Sequence, residues 1–83
     1  MKALEIDREV YEFIKARKRD YRVCTSCDGA VILPVEIKPP KQSDYKIKIG
    51  ENTLYISEVQ FKILRRIDSS MLYWVRLYDN FSI

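Results

Sequence analysis

YKIKIGENTLYISEVQF, residues 45–61, holds two patterns end to end. Tyr45, Ile47 and Ile49 alternate with Lys46 and Lys48, the period of a half-buried strand with one basic face. Gly50, Glu51 and Asn52 supply turn chemistry and Leu54 to Ile56 return, so the segment predicts a β-hairpin. Setting Ile49 opposite Leu54, Ile47 opposite Ile56 and Lys48 opposite Tyr55 keeps the two faces distinct, whereas a one-residue slip sets Lys48 against Leu54. Ser57-Glu58-Val59-Gln60 then reads as a capping box, the serine hydroxyl and the glutamine side chain each satisfying a backbone donor of the other. With Ile56 and Phe61 at staple positions, a helix starts at Ser57. Its inner face is Val59, Ile63, Leu64 and Ile67, and Lys62, Arg65 and Arg66 lie outside.

Upstream, Asp7 is placed to cap a first helix that ends near Lys18, with Ile6 and Tyr11 as its staple and Ile6, Val10, Phe13 and Ile14 as its buried face. Tyr21 to Cys24 and Ala30 to Ile37 are rich in β-formers, and CTSCDG between them carries turn residues, which predicts a hairpin with both cysteines at its tip. Pro34 removes a ladder donor, so its strand belongs at an edge or bulges there. Pro39-Pro40 stops regular structure. Downstream, Asp68-Ser69-Ser70 interrupts the second helix. The tail MLYWVRLYDNF carries a polar stripe at helical spacing through Ser69, Tyr73, Arg76 and Asn80, which favours a short helix over a final strand. The whole is one small α+β domain, residues 1–83, with an N-terminal helix, two hairpins forming an antiparallel sheet, and C-terminal helices packed on one face.

Eighty-three residues allow one core. The chain has no histidine, which excludes a Ser-His-Asp triad, a Cys-His pair and every His-containing zinc site within one chain. Its two glycines, Gly29 and Gly50, stand too far apart for a phosphate-cradling loop. The longest apolar run, Ala30 to Val35, falls far short of the ~20 residues that span a bilayer, and the N-terminus is acidic and amphipathic, so the expectation is a soluble, cytoplasmic protein without a membrane partner.

Charge is unevenly distributed. Residues 1–14 balance at −2, residues 15–22 at +4, and residues 38–48 at +3. Lys15, Arg17, Lys18, Arg19 and Arg22 form the densest basic run, suited to a nucleic-acid backbone or an acidic protein surface. Acids at a helix start and bases at its end also complement the helix dipole, which explains the same pattern without a partner.

Cys24-Thr-Ser-Cys27 is the one constellation with recognisable chemistry. Two thiols at this spacing suit a tetrahedral metal, a reversible disulfide, or simple packing. VCTSCDGAVIL resembles one knuckle of a zinc ribbon, with Asp28 where that family has glycine and no second knuckle. The resemblance implies zinc held by Cys24 and Cys27 with a second chain, or with help from Asp20, Asp28 or Asp44. No cofactor is required otherwise. LYISEVQFKIL resembles the opening of a winged-helix scaffold helix, but Met71, Leu72, Trp74 and Val75 in the following helix are poor readers of base edges.

Tyr73, Trp74, Tyr78 and Phe81 crowd the C-terminus with apolar residues on more than one face, in excess of what a single core needs, which marks them as interface candidates for a protein partner or a second copy. The sequence therefore predicts a noncatalytic interaction module working through the basic helix end and the aromatic C-terminus. The alternative is a metal-binding or thiol-redox module built on the cysteine pair.

Overall fold

The structure, a computed structural model, describes residues 4–27 and 29–81, with residues 79–81 through their backbone alone. In chain order the elements are β1 (Glu5–Ile6), α1 (Arg8–Lys15), β2 (Tyr21–Ser26), β3 (Gly29–Pro34), β4 (Tyr45–Ile49), β5 (Asn52–Ile56), α2 (Glu58–Ile63), β6 (Arg66–Ile67), a 3₁₀ turn (Ser69–Leu72) and α3 (Tyr73–Phe81). This is the expected α+β class, with the tail helical. No helix among the described residues is long and apolar enough to cross a membrane.

The sheet is mixed rather than antiparallel. Its strand order is β3-β2-β5-β4: the hairpins β2/β3 and β4/β5 are antiparallel, but they meet through a parallel pairing of Tyr21 to Val23 with Leu54 to Ile56. A second parallel pair joins β1 to β6. Strand chemistry explains which members take the centre. Pro34 lacks a donor and Lys46 and Lys48 want water, so β3 and β4 form the edges. Tyr21 to Cys24 are all buried, and so are Asn52, Leu54 and Ile56. The loop 35–44 carries the chain from one edge to the other.

The second hairpin is offset by two residues from the expected register. Ile49 pairs with Asn52 and Ile47 with Leu54, leaving a two-residue loop, Gly50-Glu51. Gly50 has a φ of +62°, the left-handed conformation that a tight two-residue hairpin needs at its first loop position. A two-residue shift leaves each side chain on its expected face. Asn52 thereby becomes a strand residue, and its buried side-chain amide donates to the carbonyl of Ile14 at 2.7 Å and to that of Arg17. The Ile14 carbonyl, which also accepts from the Arg17 N–H at 3.2 Å, and the Arg17 carbonyl are thus engaged where the helix stops, at Lys15 instead of continuing to Lys18.

Two helix starts also depart from expectation. Asp7 takes the N-cap position of α1 without a side-chain cap; its carboxylate instead binds Arg66 at 2.6 Å, and Tyr11 stays exposed rather than closing a staple. At α2 the Ser57 hydroxyl accepts from the Gln60 N–H at 3.3 Å, as the capping box requires. The reciprocal bond is absent because the Ser57 N–H already donates to the Val23 carbonyl across the parallel seam, so the Gln60 amide reaches Thr25 Oγ1 at 2.7 Å. Gln60 is consequently the buried residue of α2, and Val59 and Ile63, expected inside, are 62% and 66% exposed.

One face of the sheet holds the core. Tyr21, Val23, Ile32, Leu54 and Ile56 meet Val10, Phe13 and Ile14 of α1 and Ile67, Leu72 and Val75. Helix α3 lies against the edge strand β3.

Candidate functional site

The other face of the sheet is half covered. Strand alternation puts Arg22, Cys24 and Ser26 of β2, Val31 and Leu33 of β3, Thr53 and Tyr55 of β5, and Lys46 and Lys48 of β4 on it, and the pairing aligns Leu33, Arg22, Tyr55 and Lys46 in one row across all four strands. The loop 35–44 returns against this face. Its Asp44 accepts from Arg22 Nε at 2.6 Å and from Nη2 at 3.0 Å, a bidentate pair with 8% of the arginine and 1% of the aspartate side chain exposed. Burial alone raises the Asp44 carboxyl, but the hydrogen bond from Arg22, the Lys41 backbone and the charges of Arg22 and Lys41 outweigh it and hold the group below the usual carboxylate range. The hydrogen bond to Asp44 in turn holds the Arg22 guanidinium more firmly protonated.

Beside this pair an open apolar groove of about 500 Å³ runs between the sheet and α3, lined by Ser26, Val31, Leu33, Ile37, Trp74, Leu77 and Tyr78. The groove exists because β3 is apolar on both faces: Ile32 and Pro34 enter the core, while Val31 and Leu33 face the other way, Val31 buried and Leu33 left partly exposed. Trp74 is 46% exposed and meets Tyr73 edge to face at 5.1 Å between ring centroids. Of the expected interface residues, Trp74 and Tyr78 thus line the groove, Tyr73 stands in solvent next to it, and the Phe81 side chain lies outside the described residues. The sequence does not single out Leu33, Ile37 or Leu77 as site residues, and it offers Asp44 only as a helping zinc ligand, not as the partner of Arg22. The unbroken apolar run from Ala30 to Val35 was the available signal, since a strand that is apolar at every position needs cover on both sides.

The basic run is dispersed. Arg17 stacks its guanidinium 3.4 Å from the centroid of the Phe13 ring and donates to the Phe13 carbonyl at 2.8 Å. Arg19 lies 4.0 Å from Glu36, and Arg22 points to the opposite sheet face from α1. Lys15 and Lys18 are exposed. The second basic stretch is the better grouped one. Lys46 and Lys48 are exposed on the groove side of the sheet, and Lys38 and Lys41 lie near enough to Cys24 and Asp44 to favour their ionised forms.

The two cysteines occupy different surroundings. Cys24 lies within β2 opposite Val31 and is buried, while Cys27 is exposed in the turn, and both are free. Burial raises the Cys24 thiol against the opposing pull of Arg22 and Lys38, keeping it protonated at neutral pH. Strand rise separates the two Cα atoms by roughly 10 Å if the chain stays extended, against about 4.4–6.8 Å in a disulfide. Of the carboxylates considered as further ligands, Asp20 accepts from the Thr53 N–H at 2.8 Å, Asp44 is held by Arg22, and Asp28 lies outside the described residues. Among the described residues no group of three or more His, Cys, Asp or Glu side chains is placed to hold a metal ion. Compared with protein-family models, curated proteins and solved structures, the chain matches none.

Proposed function

We propose that this chain is a noncatalytic protein-interaction module whose binding surface is the groove between α3 and the second face of the sheet. The observation that carries the reading is an apolar groove of about 500 Å³ with a half-exposed Trp74 on its wall. Aromatic side chains with one face in water and one on an apolar wall are the typical anchors of protein interfaces. The buried Arg22–Asp44 pair supports it further, because it fixes the loop that carries Ile37 and so preforms one side of the groove. The basic helix end is the weaker candidate, with Arg17, Arg19 and Arg22 each engaged inside the chain.

An NMR titration tests this. Amphipathic peptides of about 12 residues, enough for three helical turns, are added in acidic and basic versions to the labelled protein. At least one version should shift the amides of Val31, Leu33, Ile37 and Leu77, and Leu77→Arg should remove those shifts while leaving the remaining spectrum folded. Shifts confined to residues 15–22, or no shifts with either peptide, would overturn the reading.

A further inference from the structure

We infer that the groove takes an acidic amphipathic segment of another protein, its apolar side chains entering the groove and its carboxylates meeting the lysines beside it. This rests on the groove being the binding surface. The charge surrounding it supplies the argument. Arg22 cancels Asp44, and Glu36 lies beside Arg19, which among the described residues leaves Lys38, Lys41, Lys46 and Lys48 as the charges of the loop and of β4 without an ion pair, the Lys48 ammonium donating only to the Glu51 carbonyl at 3.3 Å. The row Leu33, Arg22, Tyr55, Lys46 spans three interstrand spacings, so the groove wall and the lysine flank are about 14 Å apart, a distance that one short bound segment bridges. Apolar anchors in a groove with a flank of a single sign select a partner of opposite charge and repel one of like charge.

The same charge disfavours a second copy. A two-fold contact through this face sets each lysine flank against its own counterpart or leaves it idle. Single-stranded nucleic acid needs a basic track running along stacking aromatics. Here the walls are mostly aliphatic, through Val31, Leu33, Ile37 and Leu77, and the lysines lie to one side.

The chain has one tryptophan, and it lines the groove, so its intrinsic fluorescence reports occupancy directly. Three probes are titrated at low salt: a peptide of about 12 residues built of Glu and Leu with Leu at i, i+3 and i+4, its Lys-for-Glu counterpart, and a thymidine oligonucleotide of similar length. The acidic peptide should shift Trp74 emission to the blue and saturate. Its affinity should fall about tenfold in the double variant Lys38→Glu, Lys46→Glu, whose exposed sites leave the fold intact, and should weaken as ionic strength rises from about 50 to 200 mM. Equal binding of both peptides would overturn the acidic preference while leaving the groove as the site. A response only to the oligonucleotide, or a concentration-dependent dimer that already buries Trp74, would overturn the inference by naming a different occupant. If neither peptide reaches Trp74, the groove reading fails with it.

Discussion

Arg22 and Asp44 share two hydrogen bonds under a loop that shields both from water, so each depends on the other to remain charged. Removing one member strands the other: Asp44→Asn should cost about 3–5 kcal/mol in denaturant unfolding, whereas replacing both, as Arg22→Met with Asp44→Leu, should come back close to the parent. The pH dependence follows from the depressed carboxyl. Because Asp44 titrates lower in the folded chain than in the unfolded one, its contribution is fully present above the ordinary aspartate value of about 3.9 and disappears as pH falls through the lower folded value. Melting temperature plotted against pH should therefore drop below about pH 4 in the parent through this group, and Asp44→Asn should lack that component. None of this was legible in the sequence. Arg22 stands next to Lys18 and Arg19 along the chain, which suggests a common surface, but strand alternation turns it to the other side, toward a carboxylate that no local pattern connects with it.

At the scale of elements, α2 shows how a tertiary bond redirects a local motif. The sequence rightly marked its start at Ser57, since that cap is local. It could not reveal that the Ser57 N–H would be taken by the neighbouring strand, freeing Gln60 to turn inward to Thr25. The consequence for stability runs against the residues' hydropathy. Gln60→Ala should cost about 1 kcal/mol by removing the hydrogen bond to Thr25, whose exposed hydroxyl turns to water instead, while Val59→Lys and Ile63→Lys should each stay within about 0.5 kcal/mol of the parent. Thermal unfolding of the three variants separates this arrangement from one with Val59 and Ile63 in the core, where the two lysines would be the damaging changes. The hairpins were legible for the same reason as the cap, being local, and the β4/β5 register was missed because it depends on a loop that Gly50 shortens and on Asn52 being drawn to the end of α1.

Across the whole molecule, the sequence displayed the α+β class, the edge position of Pro34 and the helical tail, all of which rest on patterns within a dozen residues. The parallel centre of the sheet and the groove arise only when distant segments meet. Those meetings share one property: the loop 35–44 divides the chain so that the antiparallel pairings β2/β3 and β4/β5 lie within a half, and the parallel pairings β1/β6 and β2/β5 lie between halves. The bonds Arg22 to Asp44, Asn52 to Ile14 and Gln60 to Thr25 also cross that divide. In assembly terms the protein is two interlocking pieces joined by a tether. Residues 1–38 and 39–83 made separately should each be largely unstructured, and mixed in equal amounts they should recover the circular dichroism and tryptophan emission of the intact chain. A piece that folds unaided would contradict this. The covalent link at Pro39-Pro40 then serves to raise the local concentration of one piece around the other, and a single cut there turns a folding equilibrium that ignores dilution into an association that dilution reverses.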